Sequence, residues 1–356
     1  MIKKIVALLL LAITVSSCVE KKQEWSVRIS VPKEYPVAIQ RGFVGKSFFG
    51  PSCINSSWGI GVEVAKKDFY TLPETIEITW LSLVEQKFYK GKWQLPENII
   101  ERYLNQEEKN NNDKFNCKTI QLGLAPKGVV LVWLIGDDDA QIEIGRFQAS
   151  ETLLNKDDVY DSAKFMFEKG FSKKKLSDPK FLSNETRENI KQYGYPTPNV
   201  YNLYRQKYTW NQDISIPEGG QIISVKARMC NGECQSLVGK PIFNPSEKKA
   251  IPYLFIVKWK DSKNQDFITK IAFSEGNEYW QKDNTFTNEE LPLNFDKGFI
   301  TNQFKSKSEI STTVVIKIDN DSTAYAFLEQ NGMQLNIPKF SQETRKKVKN
   351  APCICK

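Results

Sequence analysis

The chain has 356 residues, of which 40% are hydrophobic and 26% charged, a composition typical of a globular protein rather than a disordered or membrane-spanning one. Its 50 basic and 42 acidic residues give a formal net charge of +8, but they are interspersed, so nucleic-acid binding has little support. There is no histidine, which excludes every Ser-His and Cys-His nucleophile arrangement. Catalysis by carboxylates, lysine or a bound metal stays open in principle.

The N-terminus has the layout of a bacterial lipoprotein signal. Lys3 and Lys4 supply a positive start, residues 5–15 form an almost unbroken apolar run, and small residues lead to Cys18. We therefore predict a signal peptide over residues 1–17, lipid attachment at Cys18 and a polar tether over residues 18–24. The apolar run is too short to span a bilayer. The alternative is an ordinary secretory signal with a cysteine near the cleavage site by chance.

The residue after Cys18 bears on where the protein resides. It is Val19, not the aspartate that retains lipoproteins at the inner membrane of enteric bacteria. We therefore expect a cell-envelope protein anchored by lipid in the outer membrane and facing the periplasm. Exposure on the cell surface is the alternative.

The region after the tether is dominated by strand patterns. Alternating, β-branched or aromatic-rich runs predict strands at residues 25–31, 76–84, 119–124, 129–135 and 142–147. The run at 129–135 is nearly all apolar, which predicts a central strand buried on both faces. One helix is predicted over residues 98–106, after Pro96. We assign residues 25–149 to an N-terminal β-rich domain.

The pattern changes over residues 150–208, which we predict to be a helical connector. A helix is expected over residues 157–169, ended by Gly170, and the pairs Asp178-Pro179 and Thr197-Pro198 predict helix starts. Strand patterns return over residues 209–340, the predicted C-terminal β-rich domain, and residues 341–356 are expected to form a tail. The predicted fold class is α+β, mostly β, with antiparallel sheets in two related halves.

The prediction of two related halves rests on repeated motifs. Residues 25–32 match 210–217 in the placement of Trp, Ile-Ser and Pro, and residues 73–80 match 252–259 in the placement of Pro and Trp. A third, weaker similarity relates the segment from Trp133 to the segment from Phe327. The motifs keep their order at similar long offsets, which indicates a divergent internal duplication.

Besides Cys18, the chain has an even number of cysteines, which predicts disulfides in an oxidising compartment. Cys230 and Cys234 are close in sequence, which favours a bridge between them, and Cys53–Cys117 would then be a second bridge. A Cys353–Cys355 bridge would be strained, because only one residue separates the two cysteines. The alternative is a four-thiolate zinc site. The disulfide candidates are Cys53, Cys117, Cys230, Cys234, Cys353 and Cys355.

The other candidate sites are weak, and the sequence predicts no catalytic residue, metal site or cofactor. Residues 137–139 are three consecutive aspartates, which could bind a hard cation but are more typical of a hairpin turn. Glu77 and Glu85 are too far apart in the sequence to predict a paired-carboxylate glycosidase site. The loop at residues 123–128 lacks the following helix that a phosphate-binding loop requires. A tyrosine cluster offers a recognition surface, with packing onto the sheets as the alternative; its members are Tyr193, Tyr195, Tyr201, Tyr204 and Tyr208.

Several ordered motifs resemble one family. They are Tyr35-Pro36-Val37, Trp58-Gly59, Leu72-Pro73, the run at residues 78–96, the run at residues 123–136 and the run at residues 144–149. Together they resemble the domain-of-unknown-function 2931 family of bacterial lipoproteins, with a thinner similarity beyond Tyr195.

The family has no established catalytic residues that could be assigned to positions of this chain. The resemblance therefore implies a genetic context rather than an active site. Such lipoproteins often occur beside type VI secretion phospholipase effectors, where a periplasmic lipoprotein is the immunity partner. We therefore expect a lipid-anchored binding protein that is not an enzyme, with a secreted effector as its protein partner and no nucleic acid. The alternative is an envelope carbohydrate-binding or assembly accessory lipoprotein.

Overall fold

The computed structural model describes residues 23–69, 73–96, 98–100, 117, 119–136, 139–238, 248–273, 289–292, 294–338 and 340–346. The fold is mostly β, with several largely antiparallel sheets, as predicted. Within these residues, no helix is both long and apolar enough to cross a bilayer.

In the part of the chain that the structure describes, eleven strands precede the main helical segment. Their bounds are β1 Gln23–Ser30, β2 Val37–Val44, β3 Ser47–Phe49, β4 Ser52–Ile54, β5 Val62–Phe69, β6 Thr75–Ser82, β7 Lys87–Gln94, β8 Thr119–Ala125, β9 Val129–Ile135, β10 Gln141–Gln148 and β11 Ser150–Thr152.

Ten strands follow it. Their bounds are β12 Tyr208–Ser215, β13 Gln221–Met229, β14 Cys234–Val238, β15 Lys248–Lys249, β16 Pro252–Lys260, β17 Asp266–Ala272, β18 Thr312–Ile318, β19 Ala324–Gln330, β20 Met333–Asn336 and β21 Ser341–Lys346. Because β21 pairs with β17, residues 341–346 belong to a sheet rather than to the predicted tail.

The helical elements differ from the predicted ones. Four α-helices have both ends within the described residues: α1 Phe171–Ser177, α2 Asn184–Tyr193, α3 Pro198–Tyr204 and α4 Phe299–Ser306. The longest 3-10 helix in this part of the chain is Asp161–Phe167. The helix predicted over 157–169 is thus replaced by 3-10 turns, and Gly170, at φ 76°, precedes α1 instead of ending a helix. Thr197 occupies the N-cap position of α3, as predicted, whereas Pro179 starts no helix. Most of the helix predicted over 98–106 lies outside the described residues.

The sheets contain one strand order twice. The order β11-β7-β6-β2-β3 recurs as β21-β17-β16-β13-β14, and β10-β9-β8-β1-β5 recurs as β20-β19-β18-β12-β15. We call β1–β11 the first set of strands and β12–β21 the second set. Each set has one parallel pair, β1 with β8 and β12 with β18, whereas only antiparallel sheets were predicted. A single residue pair, Gln141 with Cys234, joins β10 to β14 and makes one ten-stranded sheet that spans both sets.

Tryptophans mark equivalent places in the two sets. Trp80 on β6 lies opposite Ile39, and Trp259 on β16 lies opposite Ile222, and a register irregularity follows each pair on the partner strand. Both indoles are buried. The central strand β9 is buried at every position, as its apolar sequence predicts.

A buried amide network holds the two sets together. The Gln141 side-chain N–H donates to the carbonyls of Gly232 (2.6 Å) and Gly59 (3.1 Å), and the Gln121 side-chain N–H donates to Gly59 O (2.9 Å). The Trp133 indole N–H donates to Asn231 O over 3.2 Å. Because these groups are buried, each unmade bond would carry a desolvation cost of about 1–3 kcal/mol.

The same junction requires two glycines in direct contact. Gly59 has φ 79° and Gly232 has φ 89°, a region that favours glycine. A Cβ at position 59 would lie 2.8 Å from the Gly232 Cα, and a Cβ at position 232 would lie 2.7 Å from the Trp133 ring. The backbones at Gly59 and Gly232 are too close to each other to leave room for a side chain at either position.

We expect Gly59→Ala to destabilise the protein by about 2 kcal/mol more than Gly170→Ala, because overpacking adds to the backbone strain. Gly170 is the matched control, since it has a similar φ of 76° but no heavy atom within 4 Å of the added Cβ. Urea unfolding measures both free energies. Equal losses in the two variants would contradict a tight contact at Gly59.

Candidate functional site

A cleft of about 220 Å³ opens beside the glycine junction. Its walls come from the β1–β2 connection, the Ser57-Trp58 turn, helices α2 and α3, and the segment around Asp296. These elements belong to both sets of strands and to the helical segment between them. The cleft is therefore positioned by the contact that joins the two sets.

The inner wall of the cleft is aromatic. Trp58 is 4% exposed and packs against Trp133 (ring centroids 5.2 Å apart) and Tyr201 (4.5 Å). Tyr204 lies edge-on to Tyr201, with centroids 6.0 Å apart. The Trp58 indole N–H is buried and has no hydrogen-bond partner. Because an unpaired buried donor is costly, this N–H would gain from an acceptor on a ligand.

Two tyrosines sit at the mouth of the cleft. Tyr193 is 50% exposed and Tyr195 is 42% exposed, and both line the opening. They lie on either side of Gly194, which ends α2 with φ 79°. The Lys297 ammonium lies 5.4 Å from the centre of the Tyr193 ring. Exposed, amphipathic rings of this kind are common in recognition surfaces.

A polar chain forms the opposite side. The Asn294 amide donates to Asn189 Oδ1 (3.1 Å), and the Asn189 amide donates to Glu34 Oε1 (3.3 Å). Burial raises the pKa of the Glu34 carboxyl, and the nearby Asp296 carboxylate adds to the effect. The residue before it, Lys33, forms an ion pair with Glu290.

The two inner tyrosines remain protonated at neutral pH. Burial raises the pKa of Tyr201 and Tyr204 well above the ordinary value, and the nearby Glu34 and Asp296 carboxylates act in the same direction. The cleft therefore combines hydroxyl and indole donors with amide and carboxyl acceptors around aromatic rings. Such a set suits an uncharged polar group, such as a sugar ring or a polar side chain.

Four of the five tyrosines in the predicted cluster line this cleft. Tyr208 does not: it is buried, packs against Phe304 with centroids 5.6 Å apart, and donates its hydroxyl hydrogen to Gln206 (2.9 Å). Glu34, Trp58 and Asn189 are not predicted from the sequence as site residues, because the fold brings them together from distant segments. Trp58 does fall within the Trp58-Gly59 motif of the family resemblance.

The carboxylate candidates are not brought together. Glu77 accepts a hydrogen bond from Arg41 (3.4 Å), whereas Glu85 accepts one from the Lys127 backbone N–H (3.3 Å). Asp139 pairs with Lys226 at 2.8 Å, and residues 137–138 lie outside the described part of the chain. Across the described residues, no group of three or more metal-ligating side chains is found.

The predicted Cys53–Cys117 and Cys230–Cys234 bridges are not present among the described residues. Cys53 packs in a small cluster with Met166, away from Cys117, which is buried in the large core of the first set. The Cys230 thiol faces the Tyr204 carbonyl at 3.4 Å.

Burial raises the pKa of Cys117 and of Cys230 to about 12, and that of Cys234 to about 11, so these thiols are poor nucleophiles. Cys353 and Cys355 lie outside the described residues, as does half of the alternative zinc site.

The chain is a mostly β protein with a cleft lined by aromatic and polar side chains. The family described as "Protein of unknown function (DUF2931)" matches residues 13–198, more than half of the chain. The chain therefore belongs to the DUF2931 family, as its motifs indicated. No curated protein gives a significant match.

We expect the stability of the protein to fall as pH rises through the titration of Glu34. Its raised folded pKa means that the folded chain holds this proton to higher pH than the unfolded chain does, so ionisation above about pH 4.5 costs the folded state more. In Glu34→Gln this contribution is absent. Urea unfolding at a series of pH values from 4 to 7 measures it as the difference between wild type and variant, and a difference independent of pH would contradict the burial of this carboxyl.

Proposed function

We propose that this chain is a lipid-anchored protein of the cell envelope that binds a partner and catalyses no reaction. The observation that carries this proposal is the cleft, in which aromatic rings, an unpartnered indole N–H and a polar amide–carboxyl chain converge. The proposed anchor is a lipid on Cys18 in the outer membrane, with the folded chain in the periplasm. The anchor raises the local concentration of the binding site at that membrane.

In the first form of this proposal, the chain is an immunity protein that neutralises a type VI secretion phospholipase-type effector. The resemblance of its motifs to the DUF2931 lipoproteins supports it, because that resemblance implies proteins that often occur beside such effectors. Inhibition by occlusion needs a rigid scaffold and an extended interface. In this form, a side chain of the effector enters the cleft, and the exposed Tyr193 and Tyr195 contact the surrounding surface.

The second candidate is an envelope carbohydrate-binding or assembly accessory protein. The specific observation that favours it is the unpartnered Trp58 indole N–H, which lies near two tyrosines whose hydroxyls stay protonated. Sugar hydroxyls supply acceptors for these groups and donors for the carboxyl and amide oxygens. The volume of about 220 Å³ limits the ligand to about one ring.

A further part of the proposal concerns the origin of the fold. We infer that the predicted domains at residues 25–149 and 209–340 descend from one duplicated β-rich unit, with bounds widened by the strands to residues 23–152 and 208–346, and that the residues between them form a helical connector. The recurrence of one strand order supports this, as do the equivalent positions of Trp80 and Trp259 beside a register irregularity. The family match to residues 13–198 then covers the first unit and most of the connector.

We expect the double variant Tyr193→Ala/Tyr195→Ala to weaken partner binding at least about tenfold, because exposed tyrosines contribute strongly to interfaces. The soluble chain starting at Val19 would capture its partner from lysate of the producing strain, and calorimetry would then measure affinity for the purified partner. Tyr325→Ala is the matched control, since Tyr325 is also 50% exposed and does not line the cleft.

The nature of the captured partner separates the two candidates. One secreted hydrolase, recovered in stoichiometric amount and inhibited on binding, supports the immunity role. Envelope glycans or assembly proteins alone support the accessory role, in which Trp58→Phe should also lose affinity because it keeps an aromatic ring but removes the N–H. A partner that binds all cleft variants as tightly as wild type would contradict the cleft as the recognition site.

We expect Cys18→Ser to release the protein from the membrane fraction, because the sulfur atom that carries the diacylglycerol through a thioether bond is removed. Metabolic labelling with a fatty-acid analogue and carbonate extraction of membranes measure the anchor. Cys53→Ser is the control, since it changes a half-buried thiol of the folded domain. Continued labelling of the Cys18→Ser protein would contradict lipid attachment at this residue.

A further inference from the structure

Two neighbouring side chains in the wall of the cleft have hydrogen-bonding groups without a partner. The Ser57 hydroxyl and the Trp58 indole N–H are buried, and neither has a hydrogen-bond partner among the described residues. Both residues line the cleft. We call Ser57 and Trp58 the donor pair. Because a buried polar group without a partner costs free energy, the donor pair indicates a place for an oxygen atom of a ligand.

Other tryptophans show that the unpartnered Trp58 N–H is an exception. Three buried tryptophans of the same hydrophobic core donate their indole N–H to acceptors within the chain: Trp133 to Asn231 O (3.2 Å), Trp210 to Ala250 O (2.9 Å) and Trp259 to Thr269 Oγ1 (2.9 Å). The core thus supplies acceptors for these three indoles, whereas the N–H of Trp58 is left for the cleft.

The donor pair lies on a turn that neighbouring segments hold in place. The Ser30 hydroxyl donates to Ser57 O (2.9 Å) and accepts from the Gly59 N–H (2.8 Å). Ser57 and Ile60 exchange two backbone hydrogen bonds, of 3.3 and 3.0 Å. Groups that are fixed before a ligand arrives lose little conformational entropy on binding. The turn therefore presents a preorganised pair of donors.

The charges of the cleft disfavour an anionic ligand at the donor pair. The carboxyls of Glu34 and Asp296 line the cleft and raise the pKa of the inner tyrosines. The cleft also has two lysines, but Lys33 pairs with Glu290, and Lys297 faces a tyrosine ring at the mouth. A carboxylate or phosphate would be repelled by the two carboxyls. A neutral oxygen is the acceptor that this wall suits best.

The same charges argue against an occupant from the chain itself. Residues 274–288 directly precede the segment that lines the cleft, and they contain three acidic residues and one lysine. An acidic sequence is disfavoured beside the carboxyls of the cleft. Glu289, which follows this stretch, is held by Arg228 (2.8 Å), and neither residue lines the cleft. The occupant is therefore assigned to another molecule.

The amide–carboxyl chain supplies acceptors in the same cleft. Asn189 donates to the Glu34 carboxyl over 3.3 Å, and this carboxyl has further lone pairs for a ligand N–H. A ligand amide has both a carbonyl oxygen for the donor pair and an N–H for the carboxyl. Apolar lining residues can accept a methyl group beside it: Val200, Leu291 and Pro292.

We propose that the cleft binds an N-acetylated amino sugar, whose acetamido carbonyl accepts hydrogen bonds from Ser57 and Trp58. Its amide N–H donates to the Glu34 carboxyl, and the C–H faces of the sugar ring pack on the tyrosines. A carboxamide side chain of a protein would fill only part of about 220 Å³, whereas a sugar ring with an acetamido group is of comparable size. This inference rests on the proposal that the cleft is the recognition site, and it names the class of ligand.

The first test compares sugars by calorimetry on the soluble chain starting at Val19. The probe is the methyl glycoside of N-acetylglucosamine. We expect the methyl glycosides of glucose and glucosamine to bind at least about tenfold more weakly, because neither has the acetamido group. A site built to hydrogen-bond a ligand group discriminates against an analogue that leaves its buried groups unpaired.

The second test removes the donors one at a time. We expect Ser57→Ala and Trp58→Phe each to weaken binding of the N-acetylglucosamine glycoside at least about fivefold, and to leave the weak binding of the glucose glycoside nearly unchanged. A merely structural role would weaken the binding of both sugars. Urea unfolding establishes that the variants are folded.

The chain offers a matched control for each variant. The Ser47 hydroxyl is also buried and unpartnered among the described residues but does not line the cleft, so Ser47→Ala should not change affinity. Trp259 donates its N–H to Thr269 and is outside the cleft. Trp259→Phe should therefore lower the urea midpoint and leave sugar binding as in wild type.

Three results would overturn the proposal. One is equal affinity for the glycosides of N-acetylglucosamine and glucose. Another is an equal effect of Ser57→Ala and Ser47→Ala on affinity. The third is tighter binding of N-acetylglutamine amide than of the sugar, which would make the occupant a protein side chain.

Failure of this inference is distinguishable from failure of the proposed function. If no sugar binds but the captured protein partner still depends on Tyr193 and Tyr195, the sugar assignment is wrong while the binding role stands. If the sugar binds as expected but the captured partner binds Tyr193→Ala/Tyr195→Ala as tightly as wild type, the sugar assignment stands and recognition of that partner at the cleft fails.

Discussion

The rest of the structure depends on the buried contact between two loops, in which Gly59 meets Gly232 and the side-chain amides of Gln121 and Gln141 bind their carbonyls. Only one residue pair, Gln141 with Cys234, joins β10 to β14. The amide network therefore supplies much of the specificity with which the two sets of strands meet. Buried hydrogen-bond networks of this kind select one arrangement over its alternatives. Trp58 is next to Gly59 in the chain and is positioned by the same contact. The contact between the two loops therefore also fixes the aromatic wall of the cleft.

Much of the fold follows from local sequence. Alternating and β-branched runs correctly predict the strands, and the apolar run at residues 129–135 correctly predicts a fully buried one. The helices between the sets are harder to predict, because Gly170 is compatible with either the end of one helix or the start of the next. Parallel pairing of β1 with β8 leaves no local signal at all, since it depends on strands that are distant in the chain. The strand at residues 341–346 was missed because a polar sequence can still pair at the edge of a sheet.

The candidate site was only partly predictable. A cluster of tyrosines in one short segment is visible in the sequence, and four of them do line the cleft. Their partners come from three other segments, and neither Glu34 nor Asn189 belongs to a motif with a known chemical role.

The parallel pairs have a consequence for the order in which the chain acquires its structure. Ser26 on β1 and Thr119 on β8, which share a hydrogen bond, are 93 residues apart in sequence. The first strand must therefore stay without one of its neighbours until a long stretch of the chain has emerged. Contacts between such distant residues slow folding, because the entropy of closing the loop is lost before the contacts form. For a protein that we propose is exported, a slow topology of this kind favours an unfolded chain at the time of translocation.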